Sequence, residues 1–226
     1  MNARPLVART WVEQSVSPPR TLLIPLGSFE QHGPHLPMNT DTVIAHALAV
    51  RVANEIDCDV APTIPVGASG EHQGFSGLLS IGNEALELVV IELLRSARAT
   101  WPSVVLVSGH GGNLEAISRA VATARHEGSR VAAWFPTDID GDPHAGATET
   151  SVMLALDASL VDVTAAVDFP ITPDQMRQVQ AEGIMGVSGS GVLGVPSRAT
   201  AQAGHLLLHR WVREIVALVQ EVEELK

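Results

Sequence analysis

Glu30, His32, His35 and Asp41 fall within one short segment, stiffened by Pro34 and Pro37. In an extended chain, residues two apart project to the same side, so Glu30 and His32 can face one point. Asp41 can return to that point after the turn. A mixture of carboxylate and imidazole suits zinc, manganese or iron(II), whereas calcium and magnesium prefer all-oxygen shells. The chemistry within reach of such a set is metal-assisted hydrolysis, in which an ion activates water and polarises a carbonyl.

Two later segments offer the same residue types. Ser108-Gly-His-Gly-Gly-Asn113 places His110 between glycines, and His144-Ala-Gly-Ala-Thr-Glu-Thr-Ser151 supplies His144 and Glu149. The glycines flanking His110 let the backbone approach something closely, although a tight strand-to-helix turn would also use them. Glu149 at a helix start also suits the positive end of the helix dipole. Each residue singly has a bland explanation. The set as a whole does not, because several buried charges are costly unless a metal or a partner compensates them.

These side chains need elements to position them. An apolar run of strand type, Thr21 to Leu26, breaks at Gly27 and delivers the first segment. The spacing of Val43, Ile44, Ala47, Leu48 and Val52 predicts a helix from Asp41 to near Ile56, with Asn39 to Asp41 as cap candidates. Val60 to Val66 is a second strand candidate, confined by Pro62 and Pro65 to an edge or an irregular extended path. The glycine-rich loop from Gly67 to Gly82 carries Glu71, His72, Gln73 and Phe75 as candidate substrate contacts. A helix is expected from an Asn83 cap to about Ala99, with Leu86, Val89, Val90 and Leu93 as its apolar face. Ser103 to Val107 reads as a buried strand running into His110, and the following helix ends near Gly128. Val131 to Phe135 is the strand before His144. The last third holds a Gly/Ser-rich loop, Gly183 to Gly194, then a helix from about Ser197 to Glu224 with Leu206, Leu207, Trp211, Ile215 and Val219 inside. Residues 1–19 read as an arm or short helix.

Strands alternating with helices at this spacing predict an α/β fold with a mainly parallel sheet covered on both faces. In such folds ligands gather outside the carboxyl ends of the strands. Glu30, His32, Asp41, His110 and His144 all sit in segments that follow predicted strands.

The 226 residues, 46% hydrophobic and 17% charged, are most simply one domain spanning 1–226. With 14 basic against 25 acidic residues the net charge is −11, which speaks against nucleic acid or an anionic membrane as a partner. The single cysteine, Cys58, excludes an internal disulfide framework and fits a reducing compartment. No apolar stretch resembles a signal peptide or approaches the ~20 residues that span a bilayer, so a cytoplasmic location is expected. Gly189-Ser-Gly-Val-Leu-Gly194 matches a dinucleotide fingerprint by letters, but Val195-Pro196 follows where a helix should begin. Asp138-Ile-Asp-Gly-Asp142 starts like a calcium loop without the required glycine and glutamate positions, and reads as a turn.

Taken together, the motifs resemble the creatininase family of metal-dependent amidohydrolases. The resemblance rests on Gly27-Ser-Phe-Glu-Gln-His-Gly-Pro-His-Leu-Pro37 with Thr40-Asp41, on Gly109-His-Gly-Gly-Asn113, on His144 to Ser151, and on Gly191-Val-Leu-Gly-Val-Pro196 with Ala199. It implies a creatininase-like three-layer α/β/α fold and two divalent metal ions per subunit, zinc, iron(II) or manganese. It further implies Glu30, Asp41 and His110 on one ion, and His32 with the bridging Asp41 on the other. Family members that act on creatinine carry a glutamate where Gly112 stands here, so Glu149 is the candidate to complete the second ion. His144 is the candidate general acid/base, a role suited to an imidazole, and Glu149 is the base if it is not a ligand. The loop 67–82 resembles a branch that trims a C-terminal dipeptide from a modified precursor peptide, with Glu71, His72 and Gln73 as polar contacts and Phe75 as an apolar one. A creatinine or formamide hydrolase of the same family is the rival reading; a non-catalytic metal- or peptide-binding assembly protein is the rival from another class. The resemblance also implies a homo-oligomer, a hexamer.

Overall fold

Thr21–Leu26 forms β1 in the computed structural model, which describes residues 6–136 and 141–225. All six residues of β1 are buried. Leu22, Ile24 and Leu26 join one apolar cluster and Leu23 the other, the period-two alternation of a strand covered on both sides. β1 pairs in parallel with β2 (Cys58–Val60) and with β3 (Ser103–Ser108), and β3 pairs in parallel with β4 (Val131–Trp134). The sheet order is β2-β1-β3-β4.

A short α1 (Trp11–Ser15) precedes the sheet, capped by Thr10 and Glu13. α2 (Thr40–Glu55) follows β1, α3 (Gly82–Ala97) precedes β3, and α4 (Leu114–His126) joins β3 to β4. α5 (Ala147–Asp157), α6 (Pro173–Glu182) and α7 (Ala201–Glu224) complete the described elements. α3 and α4 cover the face bearing Leu22, Ile24, Leu106 and Val131. On the other face, Leu23, Val105, Val107 and Trp134 pack against α2, α5 and α7. The result is the three-layer α/β/α arrangement expected, with a wholly parallel sheet. Trp134 packs edge-on to Trp211 at 5.7 Å and donates to Glu214 Oε2 at 3.0 Å, which ties β4 to α7.

Pro25 sits within the central strand, where a missing N–H would normally break a ladder. Its carbonyl accepts from Ile64 N at 3.0 Å, so its ring nitrogen points to the same side, beyond the end of β2. No ladder bond is lost there. The expected strand Val60 to Val66 is accordingly shorter and earlier, Cys58–Val60, with only a bridge from Leu26 to Ile64 beyond it, because Pro62 and Pro65 interrupt donation.

Other expectations shift in detail. Ile81, not Asn83, occupies the N-cap of α3, and no side chain caps it. Its buried stripe is Leu86, Val90, Ile91, Leu94 and Ala97, whereas Val89 and Leu93 are 41% and 40% exposed. α7 starts at Ala201, because Thr200 Oγ1 accepts from Ala203 N and Pro196–Arg198 forms a separate 3-10 turn. Leu206 points outward, and Leu208, Val212 and Val222 complete the inner stripe. α6 is an addition to the expected elements; its signal is the capping box of Thr172 and Gln175 with Pro173 at the first turn. The acidic segment's residues 137–140, and residues 1–5 of the arm, lie outside the described residues.

The start of α2 is wedged between the carboxyl ends of β1 and β3. A Cβ on Gly27 would collide with the backbone and hydroxyl of Thr42, and one on Gly109 with the Asp41 carbonyl. Glycine at both strand ends is what lets the helix deliver Asp41 to the sheet's mouth.

Candidate metal centre

Past Gly27, the chain folds back on itself, with Glu30 N donating to the Met38 carbonyl at 3.0 Å. That turn buries Glu30 and His32 completely, and the first turn of α2 buries Asp41 beside them. β3 ends at His110. Asn113 holds the mouth together: its Oδ1 accepts from Ala68 N at 2.9 Å, and its Nδ2 donates to the Gly27 carbonyl at 3.1 Å and to Ser108 Oγ at 3.3 Å. One amide thus ties the ends of β1 and β3 to the loop 67–82.

Asp41 Oδ1 lies 3.1 Å from His32 Nε2, and Oδ2 lies 3.1 Å from His110 Nδ1 while accepting from Ser28 Oγ at 2.7 Å. Glu30 Oε1 lies 3.0 Å from His72 Nε2, 3.2 Å from His110 Nδ1 and 3.9 Å from His144 Nδ1. The His144 ring centroid lies 4.5 Å from those of both His32 and His72, tilted to the first and edge-on to the second. Glu149, in the first turn of α5, accepts from Ala145 N at 2.5 Å. Ala145 itself sits at φ 50, a left-handed conformation unfavourable for alanine, immediately beside His144. Glu71 Oε1 reaches His110 Nε2 at 3.3 Å, and a Cβ on Gly112 would strike that same carboxylate.

Mutual electrostatics dominate the protonation states. Burial opposes ionisation of Asp41, yet the charge of His32 and the bonds from His110 and His32 hold its carboxyl well below the usual range. Glu30 is lowered in the same way, chiefly by His110. Burial would discharge His32, but Asp41 outweighs it and raises the imidazole to about 9. His110 is pushed well upward by Glu30 and Asp41 against its own burial. Burial together with the charges of His32 and His72 drives His144 well below the ordinary value. Burial raises Glu149 to about 7.

The donor set fits divalent ions. Both carboxylate oxygens of Glu30 are buried and make no hydrogen bond of normal geometry, although ring nitrogens crowd one of them. Three groups place their ligand atoms within 4.8 Å of one another: Glu30, Asp41 and His110; His32, His144 and Glu149; and Glu30, His72 and His144. A buried carboxylate such as that of Glu30, crowded by ring nitrogens yet hydrogen-bonded to none, is what a cation among them resolves.

Of the residues singled out in the sequence, the structure brings together Glu30, His32, Asp41, His110, His144 and Glu149, with Glu71 at the rim. His72, expected as a substrate contact, is buried against Glu30 inside the cluster. Gln73 is exposed, and Phe75 packs with Val179, Ile184 and Leu193, so neither shares the cluster. Sequence reasoning passes over Ser28, Gln31 and Asn113. Their positions inside the two motifs are the signal that could find them: Ser28 two residues before Glu30, Gln31 between Glu30 and His32, and Asn113 closing the glycine turn.

A parallel α/β sheet that gathers buried carboxylates and imidazoles at the carboxyl ends of its strands is the scaffold of a hydrolase, with a centre suited to metal-assisted chemistry. The family model for creatininase, described as creatinine amidohydrolase, matches residues 8–219, and the chain belongs to the creatininase family. It is 45% identical over 200 residues to a mycofactocin precursor peptide peptidase of Mycolicibacterium smegmatis, covering 84% of this chain and 81% of that protein. It is 30% identical over 230 residues to a creatinine amidohydrolase of Pseudomonas putida, covering 88% of each. Among solved structures, a creatininase described as Mn superposes with a TM-score of 0.79 at 26% identity, covering 96% of this chain and 97% of that one. A mutant creatininase of Zn-Zn type gives 0.78 at 27% identity and 96% of each chain.

Proposed function

We propose that this chain is a metal-dependent peptidase that removes the C-terminal dipeptide from a modified mycofactocin precursor peptide during biosynthesis of that redox cofactor. The observation that carries this reading is the 45% identity to a named precursor peptidase, against 30% to a creatinine amidohydrolase over a similar share of the chain. Gly112 supports it. Glu71 fills the space beside that glycine, where creatinine-type members carry a glutamate, so the carboxylate arrangement departs from theirs.

In this reading Glu30, Asp41 and His110 would hold one divalent ion, and His32, Asp41 and Glu149 a second. Zinc, manganese and iron(II) all accept such a set. Ions bound there supply an activated water and a Lewis acid for the scissile carbonyl. The protein's own groups do the rest. Ser28 fixes Asp41, and Ala145 N orients Glu149. His144, kept neutral by its neighbours, accepts a proton at Nδ1 and returns it to the leaving amine. Glu71, half-buried at the rim, borders the path a peptide would take.

No helix among the described residues is long and apolar enough to cross a membrane. A cytoplasmic homo-oligomer is part of the same proposal, supported by Leu88, Val89 and Leu93, which α3 leaves exposed. The deciding experiment is mass spectrometry of metal-loaded protein incubated with the C-terminal segment of a mycofactocin precursor, modified and unmodified, with creatinine in parallel. Release of a dipeptide from the modified peptide is expected. Intact peptide beside hydrolysed creatinine would overturn the reading.

A further inference from the structure

Two motifs that the metal centre does not use meet at one carboxylate. Asp142 closes the acidic stretch 138–142, and Gly194 closes the glycine-rich stretch 189–194. Asp142 Oδ2 accepts from Ala147 N, the first amide of α5, at 2.6 Å and from Val195 N at 3.0 Å. The N-cap of α5 is Gly146, which has no side chain to offer, so Asp142 supplies an acceptor that the helix start would otherwise lack. The carboxyl group fits because glycine stands on each side of it. A Cβ on Gly146 or on Gly194 would collide with Asp142 Cβ and its carboxyl group. Neither glycine has a positive φ, so what glycine provides here is room.

The segment held at Asp142 and Ala147 carries residues of the centre. His144 exchanges both backbone bonds with Leu193, donating at 3.3 Å and accepting at 2.9 Å. Ala145, fully buried at φ 50, donates to Glu149 Oε2. An alanine in that conformation persists only where its surroundings over-determine it. The opposing segment is itself fixed: Gly194 exchanges backbone bonds with Phe169 at 2.7 and 2.8 Å, and Phe169 packs on Val179, Ile184 and Leu193.

We propose that Asp142 is a positioning residue that clamps the segment bearing His144 and Glu149 to residues 193–195, and so sets where those two side chains stand against the residues delivered by β1 and β3. The centre is assembled from two sources, the strand ends on one side and the start of α5 on the other, and Asp142 fixes the second. A misplacement of about 1 Å across such a join costs about 10²-fold in rate. The acidic stretch thereby has a use that needs no calcium, and the glycine stretch one that needs no nucleotide. Both partners of Asp142 are backbone amides, so the requirement is an acceptor oxygen at one place. Asparagine carries an oxygen at the same reach, whereas glutamate is a methylene too long for the gap between the two glycines. The clamp stands on this geometry alone; its consequence for turnover rests on the proposed function.

The test is amide hydrogen exchange, followed by NMR on the full chain, in the wild type, Asp142→Ala, Asp142→Asn and Asp142→Glu, with kcat and KM for dipeptide release measured on the same proteins. Slow exchange is expected at Ala147 and Val195 in the wild type. Asp142→Ala should speed exchange at those two amides and also at His144 and Leu193, while Val105 and Leu106 in β3 stay protected. Its kcat on the peptide should fall about 10–100-fold with KM unchanged. Asp142→Asn should restore protection and most of the turnover. Asp142→Glu keeps the charge without the fit and should resemble Asp142→Ala. Fast exchange at Ala147 and Val195 in the wild type, protection at His144 and Leu193 that survives Asp142→Ala, or an effect confined to KM would overturn the proposal. So would an Asp142→Asn as loose as Asp142→Ala, or an Asp142→Glu that behaves as the wild type. Should Asp142→Ala fail to fold, the asparagine and glutamate variants decide between these outcomes. Exchange as expected with no dipeptide released by the wild type would leave the clamp standing and count against the proposed function alone.

Discussion

Two buried acidic centres lie at opposite ends of the same sheet, and they are built on different principles. Asp59, on β2 at the amino end, is 2% exposed and enclosed by donors: Arg9 Nη1 at 2.7 Å, Trp101 Nε1 at 3.0 Å and Gln14 Nε2 at 3.3 Å. Burial would raise its pKa, but the bonds from Trp101 and Arg9 hold it low, and every need is met by the protein. Glu30, at the carboxyl end, has imidazoles and the Asp41 carboxylate around it and no hydrogen bond of normal geometry. A charge the protein satisfies fastens structure, here the amino-terminal arm to the edge strand. A charge the protein leaves wanting is an invitation to a ligand.

Breaking that contrast should give effects of different kind and size. The largest is expected from Asp41→Ala, which removes the carboxylate shared by His32 and His110; metal content measured by plasma emission should fall to background and hydrolysis should vanish. Full activity in this variant would sink the two-ion reading. Next, His144→Ala should retain metal while turnover drops by about 10²–10⁴-fold, read as kcat on the peptide. A collapse of metal content instead would make His144 a ligand, as its grouping with His32 and Glu149 permits. At the other end of the sheet, Asp59→Ala removes the buried carboxylate that Arg9, Trp101 and Gln14 share and should cost about 3–5 kcal/mol in denaturant unfolding. Activity per folded molecule should be unchanged, and a loss of kcat there would erase the distinction between the two centres.

The smallest effect concerns pH. In the metal-free protein, His32 is raised from 6.5 to about 9, so its contribution to stability is complete below 6.5 and is lost as pH rises through about 9. Asp41, lowered from 3.8, contributes above that value and loses its contribution in acid. Metal binding must displace the His32 proton, so the rise in melting temperature on adding zinc should grow from pH 6 to pH 9. An increment that shrinks over that range would remove His32 from the ligand set.

The same contrast separates what the chain's residues disclose by themselves from what only folding reveals. Ligand types at strand ends are legible because chemistry and position coincide in the chain: Glu30, His32 and His110 lie within a few residues of a strand end, and Asp41 and His144 in the segments that lead on from β1 and β4. The α/β layering is legible from the alternation of strand and helix. What escapes depends on contacts between distant segments. The buried stripe of α3 is rotated from Val89 and Leu93 to Ile91 and Leu94 by packing on the sheet and α4, which no periodicity within one helix records. His72 looks like a loop residue until the loop 67–82 is folded over the mouth, and Asp142 acquires meaning only when Gly194, far along the chain, comes beside it. Gln73 and Phe75 show the converse error, since proximity in sequence to His72 does not bring them to the centre.

Gly27 and Gly109 also constrain what variation this scaffold can tolerate. Because a side chain at either would push the start of α2 out of the mouth, a mutational library should show near-zero tolerance at both, independent of the substrate selected. Gln73, exposed in the 67–82 loop, bears no such load. Efforts to broaden the range of peptides accepted should therefore randomise the loop and leave the strand ends alone, since evolvability here is confined to the rim while the hinge of the architecture is frozen.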